Sequence, residues 1–421
     1  MSCQMLSTRG NDSASLDDAI KQGLAKDGGL YVPQTFPKLV IESFYDIEDL
    51  PRFAYQLLAP FFKESAVVLD QQFCERVFSF PLLLKNLSPN QFVLELFHGP
   101  TLSFKDFGAR FFASCLQQLL QGKTTKVLVA TSGDTGSAVA SALSGKKGIE
   151  GIVLFPKDKI SVRQQAQITC WENNIHAVAV EGTFDQCQQL VKKAFAEGLE
   201  NTDVLTTANS INIARLLPQI LFYAYASMQI KKSQGQAVNF IIPSGNLGNV
   251  TACYWANELG FPIDEILIAT NKNAVLADFV NSGVYKPQPS IKTLANAMDV
   301  GDPSNLERLR YLYQAFPEFK KHVDVESIDD ERIRASIKDC YERYGYLICP
   351  HTATAYARLS KVDLSKPWVI AATAHPAKFE EIIEPLLQIS IPVPKSLQEL
   401  LDRSQHFEVI APNFESLRNI I

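Results

Sequence analysis

Short apolar runs alternate with segments whose apolar residues recur at helical spacing from about residue 92 onward. The short runs predict buried strands and the spaced segments predict helices, because side chains repeat with periods of about 2 and 3.6 residues in these structures. The predicted strands are 92–97, 126–131, 151–155, 176–180, 204–206, 238–242, 266–269 and 368–373. The predicted helices are 135–143, 162–171, 184–196, 211–228, 249–259, 274–281, 329–344 and 352–361. This alternation predicts an α/β fold with parallel sheet and helices on both faces.

The two ends of the chain have a different pattern from this central region. Residues 1–90 hold a predicted amphipathic helix at 16–24, a short edge strand at 30–33 and two helical patterns around Pro51. We expect them to form a small N-terminal unit that packs over the core, which we place at 91–390. Residues 285–325 have a less regular pattern, and residues 391–421 are expected to be a tail punctuated by proline.

The stretch around Lys105 is the strongest candidate for chemistry. It follows a predicted strand and a break at Gly99-Pro100, and the spacing of Ser103 and Asp106 fits a capping box, so we expect a helix to begin at Ser103. A lysine in the first turn, among apolar side chains, should have a lowered pKa, because burial and the helix dipole both disfavour a cation there. A neutral amine attacks carbonyl carbon, which predicts a Schiff base. The alternative is a surface lysine on an amphipathic helix.

Four of the predicted strands end in small polar residues, where open parallel sheets bind their ligands. These segments are 131–136, 208–215, 243–249 and 373–376. The first three lead into predicted helices, whose N-terminal N–H groups favour anions. Arg215 adds a group suited to clamp a phosphate or a carboxylate. Together with Lys105, these segments predict a ligand with several anionic groups.

Several other classes of protein are disfavoured by the sequence. It has no Gly-x-x-x-x-Gly-Lys-[Ser/Thr] loop, no Gly-x-Gly-x-x-Gly dinucleotide motif and no Gly-x-Ser-x-Gly elbow. A net charge of -5 gives no sign of a nucleic-acid partner. The eight cysteines are scattered, which favours reduced thiols in the cytosol over disulfides or a metal site. We see no signal peptide and no membrane-spanning run, and so expect a cytoplasmic protein with no membrane partner.

The segment 98–107, His-Gly-Pro-Thr-Leu-Ser-Phe-Lys-Asp-Phe, resembles the cofactor-lysine segment of threonine synthases. Segments 26–33, 131–136, 208–215, 244–249, 296–300 and 373–378 resemble the same family in the same order, so the resemblance runs from about residue 20 to about residue 385. It implies the tryptophan synthase beta-like fold of pyridoxal-phosphate-dependent enzymes: two open parallel-sheet subdomains with flanking helices, the smaller at about 120–215 inserted in the larger. It also implies a carbon-oxygen lyase, monomeric or homodimeric, which converts O-phospho-L-homoserine and water to L-threonine and phosphate.

The resemblance assigns a role to each candidate residue. Lys105 would hold pyridoxal 5'-phosphate as a Schiff base and then shuttle protons at Cα and Cβ of the substrate. The cofactor-binding residues would be Lys105, Ser244, Gly245, Asn246, Leu247, Gly248, Asn249 and Thr373. The loop 244–249 would cradle the cofactor phosphate, and Thr373 would meet the pyridine nitrogen. Asn246, or an amide nearby, would meet the phenolic oxygen. Leu247 departs from the family, which usually has phenylalanine there; we expect this to alter packing only.

The substrate would be held by the two remaining strand-end loops. Ser132, Gly133, Asp134 and Thr135 would bind its carboxylate, and Asn209, Ser210 and Arg215 would bind its phosphate. Both loops suit anions, so the opposite division of these duties stays open.

Two other functions stay open at this point. The first is a different pyridoxal-phosphate lyase, such as a serine or threonine dehydratase or another phosphate-eliminating enzyme. Arg215 with Asn209 and Ser210 argues against the dehydratases, whose substrates carry no phosphate. The second is a catalytically silent α/β protein that binds small anions, which has no need of Lys105 in an apolar first turn.

Overall fold

Three β-sheets organise the part of the chain that the computed structural model describes, which is residues 4–197 and 204–420. The strands are β1 Met5–Ser7, β2 Ser13–Ala14, β3 Tyr31–Pro33, β4 Leu83–Ser88, β5 Gln91–Glu95, β6 Thr125–Ala130, β7 Ile149–Pro156, β8 Ile175–Val180, β9 Val204–Thr207, β10 Val238–Pro243, β11 Ile263–Thr270, β12 Asp324–Ser327, β13 Trp368–Ala372 and β14 Glu408–Ile410. The helices are α1 Leu16–Gln22, α2 Leu50–Leu58, α3 Gln71–Val77, α4 Lys105–Leu119, α5 Asp134–Leu143, α6 Val162–Thr169, α7 Phe184–Glu197, α8 Ile213–Leu216, α9 Ile220–Gln234, α10 Gly248–Glu258, α11 Val275–Ser282, α12 Leu306–Tyr313, α13 Phe316–His322, α14 Asp330–Tyr344, α15 Pro350–Leu359, α16 Glu380–Leu387, α17 Lys395–Leu401 and α18 Phe414–Arg418.

The larger sheet has six strands in the order β12-β11-β10-β13-β5-β4. Its neighbours are parallel, except that the edge strand β4 runs antiparallel to β5. Every residue of β5, β10 and β13 is buried, because helices cover both faces of a parallel sheet. This is why these strands read as continuous apolar runs in the sequence rather than as alternating ones.

The smaller sheet has five parallel strands in the order β14-β8-β7-β6-β9. Four of them come from the predicted strands between residues 125 and 207, whereas β14 comes from the C-terminal tail and pairs with β8 along Val178–Val180. The sequence did not predict β14, because it has three residues of which two are exposed and therefore no apolar run. With two open, mainly parallel sheets flanked by helices, the predicted fold class is confirmed.

The N-terminal residues form a third, antiparallel sheet in the order β2-β1-β3, with β3 at its edge as predicted. An aromatic cluster attaches this unit to the larger subdomain. The Phe44 ring lies 5.2 Å from that of Phe261, and the Phe53 ring lies 5.3 Å from that of Tyr225 on α9. Edge-to-face contacts of this kind add to the burial of apolar area.

The predicted helix 211–228 is interrupted in the structure. It divides into α8, a 3-10 turn at Leu217–Gln219 and α9. Pro218 lies at the start of this turn, and proline cannot donate the backbone hydrogen bond that a continuous helix needs at that position. The less regular region 285–325 contains α12, α13 and β12.

Helix α9 packs between the N-terminal unit and the larger sheet. It is buried from Ile220 to Met228, and the Tyr223 ring lies 5.2 Å from that of Phe240 on β10. Despite this burial, neither α9 nor any other helix in the described ranges is long and apolar enough to cross a membrane.

Candidate active site

Lys105 is held against the end of the central strand β13. The loop after β5 passes Ser103, which forms an isolated antiparallel bridge with Ala374, and the Phe104 N–H donates to the carbonyl of Thr373 at 2.9 Å. Helix α4 then begins at Lys105, which lies in the first turn as predicted. Its side chain is 15% exposed and lines a cavity at the carboxyl ends of the strands.

The predicted capping box is wrong. Helix α4 begins two residues later than expected, and its N-cap, Phe104, forms no side-chain cap. The Asp106 carboxylate turns back to the loop instead, where it accepts from Thr101 N at 2.9 Å and from Thr101 Oγ1 at 2.6 Å. A Cβ at Gly99 would lie 2.5 Å from Asp106 Oδ2, so the glycine allows this close return. The Ser-x-x-Asp spacing is compatible both with a helix cap and with this hydrogen-bonded loop, so the sequence alone does not distinguish the two.

The environment of Lys105 lowers its pKa to about 8. Burial is the largest cause, and the positive charges of Lys378 and Arg215 act in the same direction. Asp134 opposes them, with its Oδ2 3.9 Å from Lys105 Nζ. A substantial fraction of the amine is therefore neutral near pH 8, the form that can attack a carbonyl.

The loop 244–249 joins β10 to α10 beside Lys105 and lines the same cavity. A Cβ at Gly245 would lie 2.6 Å from Met298 Cα, so only glycine lets these two backbones approach. Leu247, the N-cap of α10, has a φ of 63° and is buried. The N–H groups of the first helical turn have no intrahelical acceptor, and no other acceptor for them lies in the described residues. Unpaired N–H groups at a helix N-terminus favour an anion, so this turn suits the phosphate that the sequence analysis expects here.

The loops 208–215 and 244–249 are tied together by side-chain amides. Asn246 Nδ2 donates to Ser210 Oγ at 2.7 Å, and Asn246 Oδ1 accepts from Ser304 N at 2.6 Å. Asn305 Nδ2 donates to the Asn246 carbonyl at 3.0 Å and lies 3.3 Å from Ser210 Oγ. The side chains of Asn246 and Ser210 thus hold each other. Asn305, which the sequence analysis missed, lies on the less regular segment and carries no motif.

Arg215 is a buried cation with an unused donor. It is 2% exposed, and its Nη1 donates to the Ala208 carbonyl, while its Nε has no hydrogen-bond partner within residues 4–197 and 204–420. Burial lowers its pKa to about 10, against the opposing charge of Asp106. The buried Oδ1 of Asn209 also has no hydrogen-bond partner in the described part of the chain. Both residues line the cavity with Lys105, where an anionic ligand would satisfy the arginine.

The loop 131–136 precedes α5 on the smaller sheet. Thr131 Oγ1 accepts from the N–H groups of Gly133 at 3.0 Å and Gly136 at 2.9 Å, which fixes the turn. Gly133 has a φ of 134°, a conformation that other residues rarely adopt. Ser132 and Thr135 line the cavity, whereas Gly133 supports the turn behind them.

The Asp134 side chain is occupied by protein donors. Its Oδ1 lies 2.8 Å from Lys378 Nζ and 2.9 Å from Gln164 Nε2. Burial would raise the pKa of Asp134, but Lys378 and Lys105 outweigh it and hold the pKa well below its usual range. Because the Asp134 carboxylate stays charged, it repels a substrate carboxylate. The loop 131–136 can therefore bind a substrate carboxylate only through its backbone, Ser132 and Thr135.

Two further residues at the site were missed by sequence reasoning. Lys378 is fully buried and also donates to the Thr101 carbonyl at 2.9 Å. His351 lines the cavity, and burial lowers its pKa to about 4, so it is neutral at physiological pH. Its Nε2 accepts from Ala297 N at 3.0 Å. Lys378 lies in a segment that the sequence analysis noted, 373–378, but nothing in the pattern distinguishes it from a surface lysine.

The predicted strand ends meet in one cavity. Its lining includes Lys105, Ser132, Asp134, Thr135, Asn209, Ser210, Arg215, Ser244, Gly245, Asn246, Leu247, Gly248, Asn249 and Thr373. Thr373, 6% exposed, directly follows strand β13, and its hydroxyl has no hydrogen bond to the described residues. These groups fit pyridoxal phosphate: a buried amine for the aldehyde, a helix N-terminus with a glycine cradle for the phosphate and an uncharged hydroxyl for the ring.

Comparison with known proteins agrees with this chemistry. The family described as pyridoxal-phosphate dependent enzyme matches residues 78–372, which confirms the predicted cofactor. The families described as threonine synthase N terminus and threonine synthase, C-terminal match residues 4–73 and 352–421. The threonine synthase of Serratia marcescens is 36% identical over 418 residues, covering 98% of this chain and 97% of that one.

Solved structures give the same result. The crystal structure of threonine synthase from Escherichia coli superposes with a TM-score of 0.92 at 35% identity, covering 99% of both chains. The structure of pyridoxal-phosphate-bound threonine synthase from Brucella melitensis has a TM-score of 0.91 at 31% identity, covering 99% of this chain and 98% of that one. From these matches over its whole length, and from the site that its strand ends build, the chain belongs to the threonine synthase family of pyridoxal-phosphate-dependent enzymes.

Proposed function

We propose that this chain converts O-phospho-L-homoserine and water to L-threonine and phosphate, the last step of threonine biosynthesis, as a pyridoxal-phosphate-dependent carbon-oxygen lyase. The proposal rests on one observation, which is that two groups line the same cavity. One is Lys105, whose pKa is lowered to about 8, and the other is Arg215, a buried guanidinium that lines the same cavity and has no acidic partner within salt-bridge distance among the described residues. The first suits a carbonyl cofactor, and the second suits a phosphorylated substrate. The threonine synthases that match the whole chain support the same reaction.

The cofactor would be held at three points by residues of the larger subdomain. Lys105 would bind the aldehyde carbon covalently through Nζ. The loop formed by Ser244, Gly245, Asn246, Leu247, Gly248 and Asn249 would bind the phosphate through backbone N–H groups. Thr373 would place its hydroxyl against the pyridine nitrogen and, being uncharged, would leave that nitrogen largely unprotonated.

The substrate would be held by groups on both subdomains. Ser132 and Thr135, with the backbone at Gly133 and Asp134, would bind its carboxylate. Arg215 and Asn209 would bind its phosphate, next to Ser210, which already bonds to Asn246. This division follows from charge, because Arg215 is the cation and Asp134 is an anion that repels a second carboxylate.

Pyridoxal phosphate, when bound, supplies an electron sink for charge that develops on the substrate. Lys105 Nζ would remove the proton from Cα and then move a proton at Cβ, since a pKa near neutrality lets one amine both accept and donate. Arg215 would stabilise the phosphate as it leaves Cγ. The burial of the cavity walls restricts the water that adds at Cβ.

Turnover of O-phospho-L-homoserine by the purified protein tests the proposal. We expect one phosphate and one threonine for each substrate consumed. Lys105→Ala should abolish both products and the protein-linked absorbance, with the fold kept as judged by circular dichroism. Phosphate release without threonine would instead indicate another phosphate-eliminating lyase. Borohydride reduction and peptide mapping that place the cofactor on a different lysine would contradict the role of Lys105.

We also propose a domain organisation, a cellular location and an oligomeric state for this protein. We place the N-terminal unit at 1–90, the catalytic core at 91–390 with a smaller subdomain at about 120–215, and the tail at 391–421. We propose a cytoplasmic enzyme, supported by the seven buried, reduced cysteines of the described residues. We also expect a monomer or a homodimer, which sedimentation equilibrium distinguishes.

A further inference from the structure

A buried ion pair next to Lys105 joins the two subdomains. Asp134 begins α5 on the smaller sheet, and Lys378 follows β13 of the larger sheet. Their side chains are 3% and 0% exposed, and Lys378 Nζ lies 2.8 Å from Asp134 Oδ1. A charge this deeply buried is expensive unless it is paired and hydrogen-bonded, so the position of each group is tightly determined by the other.

The Asp134 carboxylate is shared unequally between the two lysines. Its Oδ1 is held by Lys378 Nζ at 2.8 Å and by Gln164 Nε2 at 2.9 Å. Its Oδ2 lies 3.9 Å from Lys105 Nζ, beyond hydrogen-bond distance. Lys378 is itself fixed by a bond of 2.9 Å to the Thr101 carbonyl, in the loop just before Lys105. The carboxylate is therefore anchored on the side away from the reactive amine.

We propose that Lys378 is a positioning residue, which holds the Asp134 carboxylate out of contact with Lys105 and so leaves the Lys105 amine free to lose its proton. Without Lys378, Asp134 would have one cation left within reach and would close onto Lys105. A close carboxylate stabilises the protonated amine, and a protonated amine cannot attack a carbonyl. This inference rests on the proposed role of Lys105 and adds the residue that keeps Lys105 reactive.

The other groups that face Lys105 do not replace this function. They are Arg215 from α8, Cys349 from the turn before α15 and His351 from α15. Arg215 is a cation and acts on Lys105 in the same direction as Lys378. Burial raises the pKa of the Cys349 thiol and lowers the pKa of His351 to about 4, so both are neutral at physiological pH. The balance at Lys105 is thus set mainly by Asp134, Lys378 and Arg215.

The test measures how fast pyridoxal phosphate attaches to the full-length, cofactor-stripped protein as a function of pH. The rate should rise with pH as Lys105 loses its proton. In Lys378→Met, which removes the charge and keeps much of the stem, the midpoint of this profile should rise by about one to three pH units. In Asp134→Asn, which removes the attraction, the midpoint should fall. If Lys378→Met does not fold, Lys378→Gln replaces it in this test, and the same rise of the midpoint is expected.

A double variant separates positioning from simple charge repulsion. In the Asp134→Asn background there is no carboxylate to release, so adding Lys378→Met should raise the midpoint by less than it does in the wild type. An equal rise in both backgrounds would mean that Lys378 acts only through its own charge, and would overturn the proposal. No rise in either background would overturn it too.

Arg163→Met is the matched control for loosening of the subdomain contact. Arg163, on α6 of the smaller subdomain, donates to the Ala377 carbonyl and pairs with Glu380 at 2.8 Å, so it bridges the same two segments without touching Asp134. The midpoint of the pH profile of Arg163→Met should stay at the wild-type value. A rise equal to that of Lys378→Met would contradict the proposal. Attachment in Lys105→Ala would instead refute the role of Lys105 itself, so the two failures are distinguishable.

Discussion

At the residue scale, the site depends on charges that are buried at positions where they are incompletely neutralised. Lys105 and Arg215 both have lowered pKa values because burial disfavours their charged forms. Asp134 remains charged because two lysines compensate its burial. Such an arrangement costs stability and is typical of functional sites, where a group must be kept ready to exchange a proton or to meet a charged ligand.

The first prediction concerns the pH dependence of Lys105. Since the neutral amine is the nucleophile, cofactor attachment to the wild-type protein should speed up as pH rises and level off above about pH 8. A free lysine side chain, with a pKa of about 10.4, should continue to accelerate over the next two units. Stopped-flow absorbance across this range measures both. A pH profile of the protein that matches the profile of the free amine would show that burial does not lower the pKa of Lys105.

The second prediction separates the phosphate site from the carboxylate site. Arg215→Ala should weaken O-phospho-L-homoserine by about tenfold to over a hundredfold, because a charge-assisted hydrogen bond contributes about 1.5–3 kcal/mol. It should weaken unphosphorylated homoserine far less. Ser132→Ala should weaken both ligands alike, since both carry the α-carboxylate. Spectroscopic titration of the holoenzyme gives the affinities. Equal effects of Arg215→Ala on the two ligands would contradict the division.

At the element scale, the site is made by strand-to-helix turns that lie side by side. Strands β5, β10 and β13 are neighbours in the larger sheet, so the turns that follow them converge. The turn after β10 requires glycine for close packing rather than for an unusual φ. A Cβ at Gly245 would meet the backbone of Met298, which cannot move aside as a side chain end can.

The third prediction compares two glycines of this turn. Gly245→Ala should destabilise the protein by about 1–3 kcal/mol, because the added methyl group overpacks a backbone contact of 2.6 Å. Gly248→Ala, whose Cβ would have no neighbour closer than 3.5 Å, should be neutral or slightly stabilising. Urea unfolding of the cofactor-free protein measures both. Equal stabilities for the two variants would mean that the Met298 contact adapts without cost.

At the scale of the whole molecule, buried polar side chains hold the units together. Arg308 on α12 is 1% exposed and donates to Asn305 Oδ1 and to three backbone carbonyls: that of Tyr31 in the N-terminal unit, and those of Ser210 and Ile211 in the loop 208–215. Its burial lowers its pKa to about 9, with a small opposing effect of Glu307. The N-terminal unit is thus tied to a loop of the active site through one side chain.

The fourth prediction tests this connection. Arg308→Met should lower the free energy of unfolding by at least about 1–3 kcal/mol, since buried carbonyls lose their donor. It should also weaken O-phospho-L-homoserine, because Ser210 and Ile211 lose a support. Arg310→Met, an exposed residue on the same helix whose guanidinium lies 5.6 Å from the Phe279 ring centre, should change stability by no more than about 1 kcal/mol. Comparable losses in the two variants would show that the carbonyl contacts of Arg308 are not the cause.

Most of the fold and the central residues of the site could be predicted from the sequence because their signals are local. Apolar periodicity identified the strands of the three sheets apart from β1, β2, β4, β12 and β14, which lack continuous apolar runs. Strand ends followed by glycine and small polar residues identified the loops that line the cavity. Lys105 could be singled out because the apolar residues beside it in the sequence and the helix that begins there are local signals, whereas Asp134, Lys378 and Arg215, which act on its pKa, come from other segments.

What only the tertiary structure decided involves partners far apart in the sequence. Asp106 has capping-box spacing but bonds to Thr101, because the loop after β5 folds back on itself. Lys378, His351 and Asn305 carry no local pattern, and they reach the site because separate strands and helices pack together. The partner of a buried charge is the group that lies closest to it in the folded molecule. That distance cannot be calculated from the separation of the two residues in the sequence.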